Sequence, residues 1–149
     1  MDLNGKTILV TGSHGHIGSY IVEYICEHFK GCKISCVDNM YNGNPSNLHA
    51  AASFAKLNGN IISFTSKLNN DISAFYSLER LFEYNRPDVV FHQASMLTLD
   101  SKLHRTKAVN VNVFGSANLF ELALKYEVKK VVYASSASVY GNPTYVPTD

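Results

Sequence analysis

Gly12, Gly15 and Gly18 fall in the run Thr11-Gly12-Ser13-His14-Gly15-His16-Ile17-Gly18, at the spacing a phosphate cradle needs. Gly12 permits a tight turn, Gly15 lets backbone approach an anion with no Cβ between them, and Gly18 lets a following helix pack close to the sheet. Asp38 stands about 20 residues beyond the last glycine. A carboxylate there can accept hydrogen bonds from both hydroxyls of a ribose and would repel a phosphate on its 2′ oxygen. The chemistry these residues suit is non-covalent binding of a dinucleotide, NAD in preference to NADP. Each feature also has a plainer reading. A glycine run can be only a turn, and Asp38 can be a turn-forming carboxylate ahead of Asn39 and the Asn42-Gly43 loop.

The order of the flanking segments favours the dinucleotide. The apolar run Thr7-Ile8-Leu9-Val10 reads as a strand leading into the turn, and Ile21, Val22, Ile25 and Phe29 recur on one face of a helix after it. That helix would offer its free N–H groups and partial positive charge to a pyrophosphate. Lys33-Ile34-Ser35-Cys36-Val37 reads as the second strand, ending at Asp38.

At 149 residues the chain suits one domain, residues 1–149, and its 46% hydrophobic content is ample for a core. A net charge of +1 carries no electrostatic footprint of nucleic acid or of an acidic membrane, so neither is expected as a partner. The first residues are too polar for a secretory signal and no apolar run reaches spanning length, which predicts a cytoplasmic protein. Cys26, Cys32 and Cys36 lack the close pairing of a zinc or redox motif and read as small buried hydrophobes. The six histidines show no ligand spacing, so no metal is expected.

Further along, a helix is predicted from about Ser46 through Leu57, with Leu48, Ala51, Ala52 and Ala55 on a small-residue face, followed by a strand at 61–65. A polar connector at 66–70 leads to Asp71, which can cap the helix marked by Phe75, Leu78, Leu81 and Phe82, or meet a ligand, or both. Asp88 to Gln93 reads as a fully buried fourth strand whose small-residue exit, Gln93-Ala94-Ser95, lies where a cofactor would cross. A long helix is predicted over 106–126. Its Asn110, Asn112, Gly115 and Ser116 either face a ligand or form a solvated side. A fifth strand, 130–134, ends in Ser135-Ser136-Ala137-Ser138, and Asn142-Pro143 turns the chain away. Strands alternating with helices predict an α/β doubly wound, Rossmann-type parallel sheet in the order 3-2-1-4-5.

Taken together, these motifs resemble the N-terminal half of extended short-chain dehydrogenase/reductases, in the NAD-dependent epimerase/dehydratase family that acts on nucleotide sugars. The glycine run is similar to that family's TGxxGxIG turn, and Asp38-Asn39-Met40-Tyr41-Asn42-Gly43 to the DNxxNG run of UDP-glucose 4-epimerases. His92-Gln93-Ala94-Ser95 resembles its HxAA segment, Asn112-Val113-Phe114-Gly115-Ser116 its NVxGT helix, and Ser135 to Gly141 its SSxxVYG strand end. The resemblance implies that His16 and Ile17 line a pyrophosphate, Asp38 and Asn39 hold the adenosine ribose, and Asp71 and Ile72 meet adenine. It further implies that Gln93, Ala94 and Ser95 pass beneath NAD, that Asn112 belongs to the cofactor site, and that Ser136 hydrogen-bonds the reacting sugar hydroxyl as a catalytic residue.

Three departures from the family pattern stand out. The segment ahead of Asp71 is long, and Leu97 occupies a position where some sugar epimerases have lysine. The family's Tyr-x-x-x-Lys pair, which handles the proton, is expected beyond Asp149; Tyr126 and Lys130 have the spacing but lie ahead of the fifth strand. The resemblance therefore implies the cofactor half of a nucleotide-sugar epimerase or dehydratase, truncated after strand five and inactive alone. A longer parent chain, a second polypeptide or a homodimer would complete it. The alternative is a non-catalytic NAD-binding module or a vestigial interaction protein.

Overall fold

The computed structural model describes residues 1–65, 71–142 and 144–145; the connector at 66–70, Pro143 and 146–149 lie outside the described residues. The chain runs β1 (Thr7–Thr11), α1 (His16–His28), β2 (Lys33–Val37), a 3-10 turn (Pro45–Leu48), α2 (His49–Asn58) and β3 (Ile61–Thr65). It continues through α3 (Phe75–Asn85), β4 (Val89–His92), α4 (Thr98–Leu103), α5 (Arg105–Val109), a π-helical turn (Asn110–Gly115), α6 (Ser116–Lys125) and β5 (Lys130–Tyr133). The strands form one parallel sheet in the order β3-β2-β1-β4-β5, as the alternation of strands and helices predicts.

β1 is central, and successive residues serve opposite faces. Ile8 and Val10 join Val22, Ile25, Cys26, Ile34, Cys36, Ala51 and Ala55 beneath α1 and α2. Leu9 joins Val37, Leu78, Phe82, Val90, Val111, Leu119 and Leu122 beneath α3, α5 and α6. All three cysteines are buried, and burial pushes Cys26 and Cys36 up to about 12. These thiols are packing groups.

The observed elements differ from the expected ones in instructive places. The helix expected from Ser46 starts as a 3-10 turn, because the Asn44 side chain caps the Ser46 N–H and Pro45 fixes the first position. Ala52 is exposed, while Ala51 and Ala55 are buried. Asp71 does not cap α3: that helix begins at Phe75 after Ala74, with no side-chain cap. Asp71 Oδ1 instead accepts from the Ser73 N–H at 2.9 Å and the Ser73 hydroxyl at 2.7 Å, building a turn ahead of the helix. The single helix expected over 106–126 contains a π-helical turn, and the short α4 precedes it.

Candidate functional site

Because the sheet is parallel, all strands end at the same side, and the loops leaving β1, β2 and β4 meet there. Gly12 has φ +66°, a conformation that L side chains rarely adopt, and a Cβ there would lie 2.7 Å from Ala94 N and Gln93 C. The turn and the β4 exit are therefore in direct backbone contact. Gly18 serves the turn rather than the sheet, since its Cβ would stand 2.1 Å from the Gly12 carbonyl oxygen. α1 starts at Gly15 with no side-chain cap and no acidic residue in its first turn. Its leading N–H groups thus retain their capacity for an anion.

Asp38 is buried at the end of β2. Its Oδ2 accepts from the His14 N–H at 2.9 Å and its Oδ1 from the Met40 N–H at 2.8 Å. The first bond ties the carboxylate to the glycine turn. The second holds Met40 in the left-handed region at φ +60°. Asp38 is thus both a turn-former and a cleft residue, and an ionised carboxylate with two bonds made still has lone pairs for hydroxyl donors. Burial lowers the His14 pKa against the opposing pull of Asp38.

Asn39 Nδ2 donates to Asp71 Oδ2 at 3.2 Å. For Asp71 the largest single influence is burial, which raises its pKa. The hydrogen bonds from Ser73 and Asn39 and the charge of Lys107 together outweigh it and hold the carboxyl below its ordinary range. Ile72 is buried beside Gly115, and Asn118 Nδ2 pins the Ile72 and Ser73 carbonyls at 3.2 Å.

One cleft is lined by Gly12, Gly15, Asp38, Asn39, Asp71, Ile72, Gln93, Ala94 and Ser95, bringing together most of the residues selected from sequence. Tyr41, Asn42, Gly43 and Lys107 also line it. Lys107 carried no sequence signal, being one polar residue among several on a helix; Tyr41 to Gly43 were visible only as the tail of the DNxxNG run. The cleft continues past Gln93–Met96 into a second hollow with Asn112, Ser116, Tyr133, Ser135 and Ser136.

The remaining selected residues lie elsewhere or are already engaged. His16 and Ile17 turn their side chains into an apolar groove on the outer face of α1, with Tyr20, Tyr24 and Phe91, so only their backbone belongs to the helix start. Asn112 uses both ends of its amide on Met96, accepting from its N–H at 2.7 Å and donating to its carbonyl at 3.0 Å. Ser136 is exposed, and its Oγ accepts from the Ser138 N–H at 3.2 Å, leaving it a hydrogen to donate.

Beneath the β4 exit a hydrogen-bond relay joins Thr11, His92 and Ser116, one residue from each of three motif matches whose pairing the sequence does not display. Ser116 Oγ donates to the Asn112 carbonyl at 2.8 Å and lies 3.0 Å from His92 Nε2, while His92 Nδ1 lies 2.7 Å from Thr11 Oγ1. With the serine hydrogen committed, Nε2 must donate to it, so Nδ1 accepts from the threonine. Thr11 Oγ1 in turn accepts from the Ala94 N–H at 3.3 Å. Burial holds His92 at about 4, which keeps the ring neutral as the relay requires. Among the described residues no group of three or more His, Cys, Asp or Glu is placed to hold a metal.

A model of the NAD dependent epimerase/dehydratase family matches residues 8–149. The chain belongs to that family. A UDP-glucose 4-epimerase from Cyamopsis tetragonoloba is 34% identical over 146 residues, covering 97% of this chain and 40% of that protein. A dTDP-D-glucose 4,6-dehydratase from Dictyostelium discoideum is 33% identical over 146 residues, covering 95% of this chain and 31% of that protein. Among solved structures, UDP-glucose 4-epimerase from Bifidobacterium longum in complex with NAD+ and UDP superposes with a TM-score of 0.77 at 27% identity. That superposition covers 95% of this chain and 40% of the other. The family member described here thus spans well under half the length of the relatives it matches.

Proposed function

We propose that this chain binds NAD across the carboxyl ends of β1, β2 and β4. We further propose that it forms the cofactor-binding part of a nucleotide-sugar epimerase or dehydratase of the 4-epimerase type. The observation that carries this reading is the Asp38 carboxylate, buried at the β2 end and bonded to the glycine turn. It shares one cleft with Gly12 and Gly15. Two acids, Asp38 and Asp71, line the adenosine side, where a 2′-phosphate would be repelled. The α1 start supplies the anion site, with the backbone of His16 and Ile17 in its first turn. Gln93 to Ser95 form the floor, held at Ala94 by Thr11 and flanked by Met96, which Asn112 holds.

When bound, NAD supplies a hydride acceptor for a carbinol carbon of the sugar, and its reduced form a donor for the return. Ser136 stands in the adjoining hollow with a hydroxyl hydrogen to give, which suits a residue that hydrogen-bonds a sugar oxygen. Tyr126 and Lys130 take no part. Tyr126 packs under the Arg86 guanidinium near Phe82, and Lys130 opens β5 opposite Val89, at the amino end of the sheet. A tyrosine–lysine pair from elsewhere would have to handle the proton, from further chain or from a second polypeptide.

Titration calorimetry with NAD and NADP tests the reading. Binding of NAD in preference to NADP is expected. Asp38→Ala is expected to weaken NAD about tenfold to a hundredfold, for one or two lost charge-assisted hydrogen bonds, and to relax the preference. Equal NAD affinity in that variant would remove the ribose assignment, and failure of wild type to bind either nucleotide would remove the cofactor.

A further inference from the structure

Past β2 the chain doubles back over the carboxyl end of β1, and successive side chains of this loop reach the opposite wall. Asn39 meets Asp71, as described. The Lys107 ammonium stands 3.8 Å above the centroid of the Tyr41 ring. Asn42 Nδ2 donates to Asp100 Oδ2 at 3.2 Å. Asp100 lies in α4 and Lys107 in α5, both after β4, so the loop bridges from the β2 side of the central strand to the β4 side. Both ends of the bridge are anchored. Asp38 fixes Met40 at one end, and the His14 carbonyl accepts from the Asn44 N–H at 3.1 Å and Asn47 Nδ2 at 2.8 Å at the other. Gly43 lies so close that a Cβ would sit 2.9 Å from His14 Cβ and 3.0 Å from Asp38 Oδ1.

Lys107 is the one cation among the described residues that line this cleft, and it takes the one tyrosine ring there. Neither cross-bridge contact is strong alone, because both are open to water. They act on the same short loop, however, so the bridge lifts only when both are released.

We propose that Tyr41–Lys107 and Asn42–Asp100 form a retaining clasp over the cleft, with Lys107 a positioning residue that sets how fast a seated dinucleotide leaves. This rests on the NAD reading above. The clasp touches the loop rather than the reacting atoms, so its signature is kinetic: it governs release more than the choice between NAD and NADP.

The test follows NADH fluorescence by stopped flow after mixing the loaded full chain with excess NAD. Lys107→Met is expected to speed release about two- to fivefold, the size of a partly exposed cation–π contact. Lys107→Arg and Tyr41→Phe keep a cation over a ring and are expected to release at the wild-type rate. Tyr41→Leu is expected to match Lys107→Met. Adding Asp100→Ala to Lys107→Met is expected to speed release beyond either change alone. Lys107 and Tyr41 are exposed, so all variants are expected to keep the wild-type circular dichroism. If wild type binds NADH and Lys107→Met releases it at the wild-type rate, the clasp is overturned and the NAD reading stands. If Lys107→Arg releases as fast as Lys107→Met, the cation–π contact is overturned. If wild type binds no NADH, the NAD reading fails and takes the clasp with it.

Discussion

At the scale of single residues, the site rests on two side chains that do unlike things. Asp38 faces the ligand side while accepting backbone N–H groups from both flanking loops, so its loss should loosen the turn as well as the ribose contact. His92 works below the floor. Its folded-state pKa of about 4 lies below the ordinary histidine value of 6.5, so the unfolded chain binds the proton more readily over that interval. Stability linked to His92 is therefore complete above pH 6.5, falls as the pH drops toward 4, and amounts to up to about 3 kcal/mol. His14 shifts in the same direction, and the lowered Asp71 adds a further loss below the ordinary carboxylate range. Urea denaturation of wild type is expected to show this acid loss. In His92→Phe the dependence between pH 4 and 6.5 should flatten, while stability at pH 7 falls by about 1–3 kcal/mol for the partners left unsatisfied. A variant retaining the full wild-type slope would assign the titration to another group.

Asp38 and the glycines were legible in the sequence because their chemistry is written locally, in a turn and in the residue ending a strand. Lys107 was not, and His92 stood in the HxAA match with no partner attached to it. Their roles come from Thr11, Ser116 and Tyr41, partners that only the closed sheet brings near, and one sequence contains no trace of such pairings.

At the scale of elements, strands and their order followed from short apolar runs between helical periods, since a parallel sheet covered on both faces leaves that imprint. What escaped was governed by caps and backbone detail. Asp71 has the right residue type for a helix start, yet Ser73 competes for its carboxylate and the helix begins later. Gly18 was legible as a close-packing glycine, but its neighbour is the turn's own carbonyl rather than the sheet. Gly18→Ala therefore forces the first helical turn off the glycine loop. It is expected to cost about 1–3 kcal/mol in a urea titration and to abolish NAD binding measured by calorimetry. An alanine variant that binds NAD as wild type does would show that the loop can yield.

At the scale of the molecule, the sheet has two ends with separate tasks. The carboxyl end carries the cleft, the clasp loop and Ser136, whereas the Tyr126 and Lys130 spacing match sits at the amino end, beyond reach of a ligand in the cleft. The 149 residues incubated with UDP-glucose and NAD are accordingly expected to give no epimerised sugar by chromatography. Turnover would mean that another group in the described hollow moves the proton.

The widened turn at Asn110–Gly115 has a bearing on how far this architecture tolerates length changes. A π turn accommodates one residue more than an ordinary helical turn, so it resets the phase between the helix before it and the helix after it. Ahead of it, Lys107 is clocked to the cleft; behind it, Leu119 and Leu122 are clocked to the hydrophobic interior. Deleting a residue there would leave an unbroken helix rotated by about 100° in one half relative to the other, aiming either the lysine or the leucines wrongly. The irregularity is the gear that lets a single rod serve binding at one end and packing at the other.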